Sequence, residues 1–422
     1  REQHMTFAKA CGNTNRISAF LTEASVSITH SVDELDAEAL EVNVGNGTLF
    51  FQRLHEEGMS SSAMVELRPH KRRDLITKQM RAKFDSDARS PGFDKFLERV
   101  LPDREMREFL QRWFGLNLTS ITGDQKLAFF YGQGANGKSV LTDLMAWLMG
   151  DYAATAKIES LTGEKRRGGG DATPDLVPLM GARMVRASEP EQGTRLQEGV
   201  IKELTGGEPM LVRALHSDFV EVKPQFKLTI SGNHKPDIRN TDDGIWRRIL
   251  LIPFDVQIPE AERDPDLGKK LRAEAPGILN WMVAGLIDYL EGGLQVPQAV
   301  QDATKEYRED SDPVGSFLAA ACEVTGDGSD FTRSSTIAAA FTFWMSDSGE
   351  SPWTPTTIQK RMKARAKSYR DPRTGQTFSP GKRSVAGYVG IKISDMFAAR
   401  WKEVEPNAPV APAYSSASPD PF

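Results

Sequence analysis

Residues 126–150 read Lys126-Leu-Ala-Phe-Phe-Tyr131-Gly132-Gln-Gly134-Ala-Asn136-Gly137-Lys138-Ser139-Val-Leu-Thr-Asp-Leu-Met-Ala-Trp-Leu-Met149-Gly150. The apolar run from Leu127 to Tyr131 predicts a buried strand. The glycine-rich segment after it is a full match to the phosphate-loop pattern. Ser139 to Met149 has the spacing of an amphipathic helix, closed by Gly150. Each residue type serves one chemistry. Gly132, Gly134 and Gly137, with Asn136 among them, let backbone N–H groups turn inward around phosphate, and the helix offers its positive end. Lys138 reaches the β- and γ-phosphates, and the Ser139 hydroxyl completes a Mg²⁺ shell. Nucleotide binding is the first expectation.

Working outward, Arg183-Met-Val-Arg-Ala-Ser188-Glu189 predicts a second buried strand with Glu189 at its carboxyl end. A carboxylate there can polarise an attacking water or hold the metal's water shell. The preceding position, commonly acidic in such motifs, is Ser188, and a plain surface glutamate is the alternative. A third strand, Phe226 to Ser231, leads into Gly232-Asn233-His234. An amide at that edge can orient water, although turns favour Asn anyway. Asp242-Asp243-Gly244-Ile245-Trp246-Arg247-Arg248 then offers two arginines, either a salt-bridged core edge or a finger on a γ-phosphate. Alternating strand and helix signals to about residue 255 argue for an α/β core.

This ordered set resembles the superfamily 3 helicases of the AAA+ class, and more closely the helicase half of phage, plasmid and poxvirus primase-helicases. Ala187-Ser188-Glu189, Lys202-Glu-Leu-Thr205-Gly206-Gly207, Gly232 to Pro236 and Gly244 to Arg248 carry the likeness. Upstream, Leu35-Asp36-Ala37, Asn43 to Leu49 and Leu75-Ile76-Thr77 look like the family's N-terminal region. The resemblance implies a ring, usually a hexamer, that threads one DNA strand and is driven by ATP hydrolysis at subunit interfaces. It assigns ATP and Mg²⁺ to Lys138 and Ser139, with Glu189 as the catalytic acid and as part of the metal site. Asn233 becomes the polar sensor, and Arg247 or Arg248 a finger acting in trans. The family's DNA-gripping hairpin maps to Met210–Leu215 and Phe219–Val222 around a three-residue turn, with Lys202, Arg213 and His216 as DNA contacts.

Residues 354–392 hold ten basic residues against Asp371 alone. Thr354-Pro355 caps a predicted helix through Tyr369 bearing Lys360, Arg361, Lys363, Arg365 and Lys367. Two extended runs follow, the outline of a winged helix that would dock on duplex phosphates, or else a basic face on a packing domain. Lys165-Arg166-Arg167 is a second basic patch on a loop. The expected fold class is therefore α/β: an AAA+ P-loop NTPase core, a mostly helical N-terminal region and a C-terminal winged-helix domain. The expected domains are 1–120 (helicase-associated, oligomerisation), 121–300 (motor), 312–402 (winged helix) and 403–422 (a disordered, proline-rich tail).

The chain has 422 residues with 53 Lys and Arg against 58 Asp and Glu, a net charge of −5, which excludes a uniformly basic protein. Two cysteines, Cys11 and Cys322, make neither a disulfide framework nor a zinc cluster. No apolar run reaches the ~18 residues of a membrane helix. The start at Arg1 reads as a fragment of something longer. The leading expectation is an ATP-dependent hexameric helicase on single-stranded and forked DNA. It would serve a phage, plasmid or other mobile element in a host cytoplasm, with any primase domain upstream. A non-unwinding origin-binding switch or scaffold is the alternative.

Overall fold

The computed structural model describes residues 2–27, 29, 31, 34–54, 62–163, 172–238, 243–349 and 351–409. Two compact units divide the chain, one of residues 1–238 and 242–304, the other of 305–422. The Lys165–Arg167 patch and the last thirteen positions of the expected tail lie outside the described residues.

The first unit opens with helices α1 (Glu2–Cys11) and α2 (Thr14–Ser27), neither of which buries a side chain. A three-stranded antiparallel sheet follows: β1 (Glu41–Val44), β2 (Gly47–Leu54) and β3 (Ser62–Arg68). The N-terminal region, expected to be mostly helical, thus carries a sheet beside its helices. Gly45 and Asn46 make a two-residue hairpin turn that pairs Val44 with Gly47. Asp36 accepts hydrogen bonds from the Thr77 N–H at 2.9 Å and from its hydroxyl, which joins two segments 41 residues apart.

Helices α3 (Pro91–Val100) and α4 (Arg104–Leu116) then bury the apolar stripe from Phe93 to Phe114. Proline at the first helical position starts α3, and Asp103 caps α4 by accepting from Glu105 N at 2.8 Å.

The motor sheet comprises β4 (Leu127–Tyr131), β5 (Ala153–Thr155), β6 (Met184–Ser188), β9 (Lys227–Gly232) and β10 (Ile249–Pro253). Between them run α5 (Lys138–Met149), α6 (Glu198–Gly206), the hairpin β7 (Met210–Val212) and β8 (Val220–Val222), and the short α7 (Asp243–Trp246). The strand order is β10-β4-β9-β6-β5, all parallel. Strands covered on both faces are buried along their length, as Leu127–Phe130 and Leu228–Ile230 are.

After the sheet come α8 (Leu267–Ala273) and α9 (Ala275–Gly292). Helices α4 and α9 cross at glycine. A Cβ on Gly115 would overlap Leu286 N, and one on Gly285 would overlap the Gln111 carbonyl. Trp113 of α4 donates its indole N–H to Thr229 Oγ1 of β9 at 3.1 Å, so the helix is keyed to the sheet.

Two buried cations tie the starts of β6 and β9 to the N-terminal region. The Arg183 guanidinium donates to the carbonyls of Glu41 (2.6 Å), Leu118 (2.5 Å) and Glu38 (3.1 Å). Lys227 donates to the Thr119 carbonyl. Among the described residues, the hydrogen-bond partners of both side chains are backbone carbonyls.

The division between units falls within α10 (Gln298–Asp310). The second unit holds α11 (Pro313–Ala321), β11 (Cys322–Val324), β12 (Phe331–Arg333), α12 (Ser334–Asp347), α13 (Pro355–Ala366), β13 (Ser379–Lys382), β14 (Ala386–Val389), β15 (Ile391–Ile393) and α14 (Asp395–Val404). Its core is aromatic, around Phe317, Phe341, Tyr388 and Trp401. Thr354 caps α13 by accepting from Thr357 N at 3.3 Å. Sheet β12-β14-β13 places a hairpin after that helix.

Candidate functional site at the carboxyl edge of the motor sheet

Parallel strands in register end together. Tyr131 is level with Gly232 and Pro253, and Ser188 with Ser231. The loop after β4, Glu189, Asn233 and Phe254 therefore meet at one edge, where α/β sheets bind ligands.

Gly132–Gly137 is a tight loop capped by Gly137 in the left-handed region (φ 84°). A Cβ on Gly137 would press to 2.6 Å from Val100, and one on Gly132 would overlap the Phe254 carbonyl. Glycine is required at both positions. No side chain caps α5, so the first N–H groups of this 12-residue helix face the loop. Gln133, Gly134, Ala135 and Ser139 are exposed along the rim.

Lys138 is buried at 5% exposure. Its ammonium donates to Gly132 O (2.5 Å), Asn136 Oδ1 (2.9 Å) and Asn233 Oδ1 (3.2 Å). Burial lowers its pKa from the ordinary lysine value, and the Glu189 carboxylate opposes that shift. Lysine, glutamate and asparagine from three different strand ends thus share one electrostatic site, 51 and 95 residues apart in the chain.

Glu189 is exposed and sits at φ 58°, a left-handed conformation that costs a non-glycine residue about 1–2 kcal/mol. Its N–H donates to Ser231 O at 2.7 Å, locking the exit of β6 against that of β9. The Pro190 ring packs on the same spot, where a Cβ on Gly232 would come within 2.7 Å.

Asn136 faces away from the loop's open side. Only 3% exposed, it donates from Nδ2 to Gln133 O (2.8 Å) and Phe254 O (3.1 Å).

The arginine pair lies at the other edge of the sheet, because Leu127 N donates to Arg248 O at 2.7 Å and β10 runs from there to the loop. Five strand residues at ~3.3 Å each place Arg247 and Arg248 about 16 Å from their own phosphate loop. The two differ. Arg248 is buried and donates to Gly244 O (2.6 Å), Thr205 Oγ1 (3.1 Å) and Gln125 Oε1 (3.3 Å). Arg247 is exposed. Lys202 stands beside them, lining with Gln125, Glu208 and the arginines a cavity of about 290 Å³.

Hairpin β7–β8 is shorter than expected, and the turn has seven residues, 213–219, rather than three. His216 sits exposed within it at φ 61°. Arg213 is half-buried with its guanidinium 4.7 Å above the Phe219 ring, and its backbone exchanges two 2.9 Å hydrogen bonds with Thr173. Leu211, Leu215, Phe219 and Val220 are all at least 40% exposed. That apolar display escaped the sequence reading, because Leu215 and Phe219 lie in the turn rather than on the strands.

On α13, Arg365 pairs with Asp312 at 2.8 Å and Arg361 covers Trp353 at 5.6 Å. Lys360, Lys363 and Lys367 are exposed.

Fold and site together define a parallel α/β protein organised around a glycine-rich loop between strand and helix. Residues 1–102 match the family described as D5 N terminal like, and residues 130–248 match a family of unknown function, DUF5906. The protein named Putative helicase L207/L206 of Acanthamoeba polyphaga mimivirus is 30% identical over 251 residues, 56% of this chain and 26% of that protein. Putative helicase 022R of Frog virus 3 (isolate Goorha) is 28% identical over 243 residues, 53% of this chain and 25% of that one. Putative helicase 184R of Invertebrate iridescent virus 6 is 25% identical over 316 residues, 65% and 32% respectively. The chain thus spans a quarter to a third of the length of these relatives. A solved apo structure of the NrS-1 C terminal region aligns with 80% of this chain and 82% of that one, at 13% identity and a TM-score of 0.47. Over these stretches the chain is similar to proteins named putative helicases. No helix among the described residues is long and apolar enough to cross a membrane.

Proposed function

We propose that this chain is the ATP-hydrolysing motor of a ring-shaped, hexameric DNA helicase of AAA+ architecture that moves on single-stranded DNA and opens forks. The observation that carries this reading is the 3.2 Å contact between Lys138 and Asn233, with Glu189 acting on the same ammonium. These groups would serve one reaction: attack of water on a γ-phosphoryl group.

Lys138 and the N–H groups of the loop would hold the phosphates. Its three acceptors are neutral carbonyl and amide oxygens, which a phosphate anion out-competes as a charged partner. Glu189 would orient and deprotonate the water, and Asn233 would fix its direction. Mg²⁺ fits the donor set of the exposed Ser139 and Glu189, and when bound it supplies positive charge against the phosphoryl oxygens.

Arg247, exposed and remote from its own loop, suits a finger reaching a neighbour's nucleotide. The bonds of Arg248 suit a support for that position. Lys202, beside the arginines, fits this interface better than a DNA groove. Hairpin β7–β8, with Arg213 on Phe219 and His216 at the turn, would meet DNA through base stacking and apolar contact as much as charge. Helix α13 with the β13–β14 hairpin would be a winged helix on duplex phosphates, with Lys360, Lys363 and Lys367 outward.

The test is DNA-stimulated ATP turnover with fork unwinding. Lys138→Ala should lose ATP binding and all turnover. Glu189→Gln should bind ATP and hydrolyse it at least 100-fold more slowly, as loss of a general base requires. Near-parental turnover by Glu189→Gln would refute the assignment. ATP turnover without strand separation would favour an origin-binding switch.

A further inference from the structure

A single strand, β10, runs from the arginine pair to the phosphate loop, and both of its ends are fixed. At its start, Arg248 O accepts from Leu127 N at 2.7 Å, and Lys126 Nζ donates to Arg247 O at 2.5 Å. Just past its end, Phe254 O accepts from Asn136 at 3.1 Å, and Phe254 N donates to Tyr131 O at 2.7 Å. Farther on, Ile258 N donates to Ala135 O at 2.7 Å, a second tie to the same loop. All five residues of β10 pair with β4 in unbroken register. A fully paired strand is stiff, so a displacement at one end is passed to the other.

Asn136 is the joint between strand and loop. Its two amide hydrogens are spent on Gln133 O and Phe254 O, while its oxygen accepts from the Lys138 ammonium at 2.9 Å. One planar side chain therefore sees both the cation that meets phosphate and the end of the strand that begins beside Arg247. A nucleotide that drew Lys138 off Asn136 Oδ1 would remove one of the three bonds that set the amide plane. The other two bonds connect that plane to β10.

We infer that Asn136 is a positioning residue rather than a phosphate ligand. It aims Lys138 and couples the occupancy of a subunit's own loop, through β10, to the arginine that the subunit presents to its neighbour. This rests on the motor reading above and names its regulation. The strand supplies a contiguous physical route, and the two-state element is the Lys138–Asn136 contact, made without phosphate and broken with it.

The experiment compares parent, Asn136→Ala and Asn136→Ser in steady-state ATP turnover with single-stranded DNA, alongside equilibrium binding of a fluorescent ATP analogue and thermal denaturation. Removing a charge-assisted partner of Lys138 should raise KM and the analogue's Kd about tenfold or more. The Hill coefficient for ATP should fall to about one, while kcat stays within about threefold of parent. Loss of a purely structural side chain would lower the melting temperature and kcat together and leave KM and the Hill coefficient alone. That outcome in either folded variant overturns the inference, as does a parent whose turnover shows no cooperativity. Should Asn136→Ala not fold, Asn136→Ser, which keeps a small polar group, reads the same two quantities. Lys138→Ala, measured in parallel, reports on nucleotide binding itself, so failure of the motor reading is seen separately.

Discussion

Lys227 begins β9, is fully buried, and has a carbonyl as its hydrogen-bond partner. Burial, reinforced by the neighbouring Arg183 charge and opposed by Asp124, drives its pKa well below the ordinary 10.5. Between that depressed value and 10.5 the native state binds fewer protons than the unfolded chain. This group's contribution to stability therefore rises with pH across the window, and falls as pH drops towards the folded value. Lys227→Met should flatten that rise. Thermal midpoints of parent and variant, taken from pH 7 to 10.5, check it, and parallel curves would show that Lys227 is not the source. None of this was legible in the sequence, where Lys227 is simply the second residue of Phe226-Lys-Leu-Thr-Ile-Ser231. Its partner Thr119 lies 108 residues away. The phosphate loop was legible because strand, turn and helix are all written in consecutive residues, and local rules suffice.

Elements show the same division between local and distant information. The cap of α13 at Thr354 follows from its end signal and stands where that signal put it. The sheet β1–β3 was not legible in the same way, because β3 mixes half-buried and exposed residues without a strong apolar run. The arginine pair could not be resolved by adjacency. Both members lie in the two-residue turn between α7 and β10, where Arg248 is buried and Arg247 is exposed. Arg248→Ala should cost stability by about 2 kcal/mol, since three hydrogen bonds to a charged donor are lost. Arg247→Ala should leave the melting temperature within a degree or two and cut ATP turnover by ~10³-fold or more if it is the finger. Chemical denaturation and steady-state turnover on both variants give the comparison. Reversal of the two phenotypes would exchange their roles. Mixed rings of Arg247→Ala and Lys138→Ala subunits, formed before assembly, should recover part of the turnover, because some interfaces then join an intact loop to an intact finger.

At the scale of the whole molecule, two units with separate cores predict separable functions. The ten cations of residues 354–392 shrink once partners are assigned. Arg365 pairs with Asp312, Arg373 with Asp371 and Lys392 with Glu323. Arg383 donates to the carbonyls of Gly328 and Ser329. Removing residues 312–422 should therefore reduce the salt slope of fork binding by about 4, one each for the exposed Lys360, Lys363, Lys367 and Lys382, rather than by ten. Core ATP turnover should persist. Binding titrations from 50 to 200 mM salt decide it, and an unchanged slope would make α13 a packing face. The crossing of α4 and α9 bears on something else, the ways in which this chain can drift. Every codon change away from glycine adds at least a Cβ, and at Gly115 and Gly285 that atom would fall on the opposite helix's backbone. A side chain can be trimmed to make room for a neighbour, but a backbone cannot, so no partner substitution compensates. In any lineage of this fold that keeps the crossing, those two sites stand still while the surfaces around them wander.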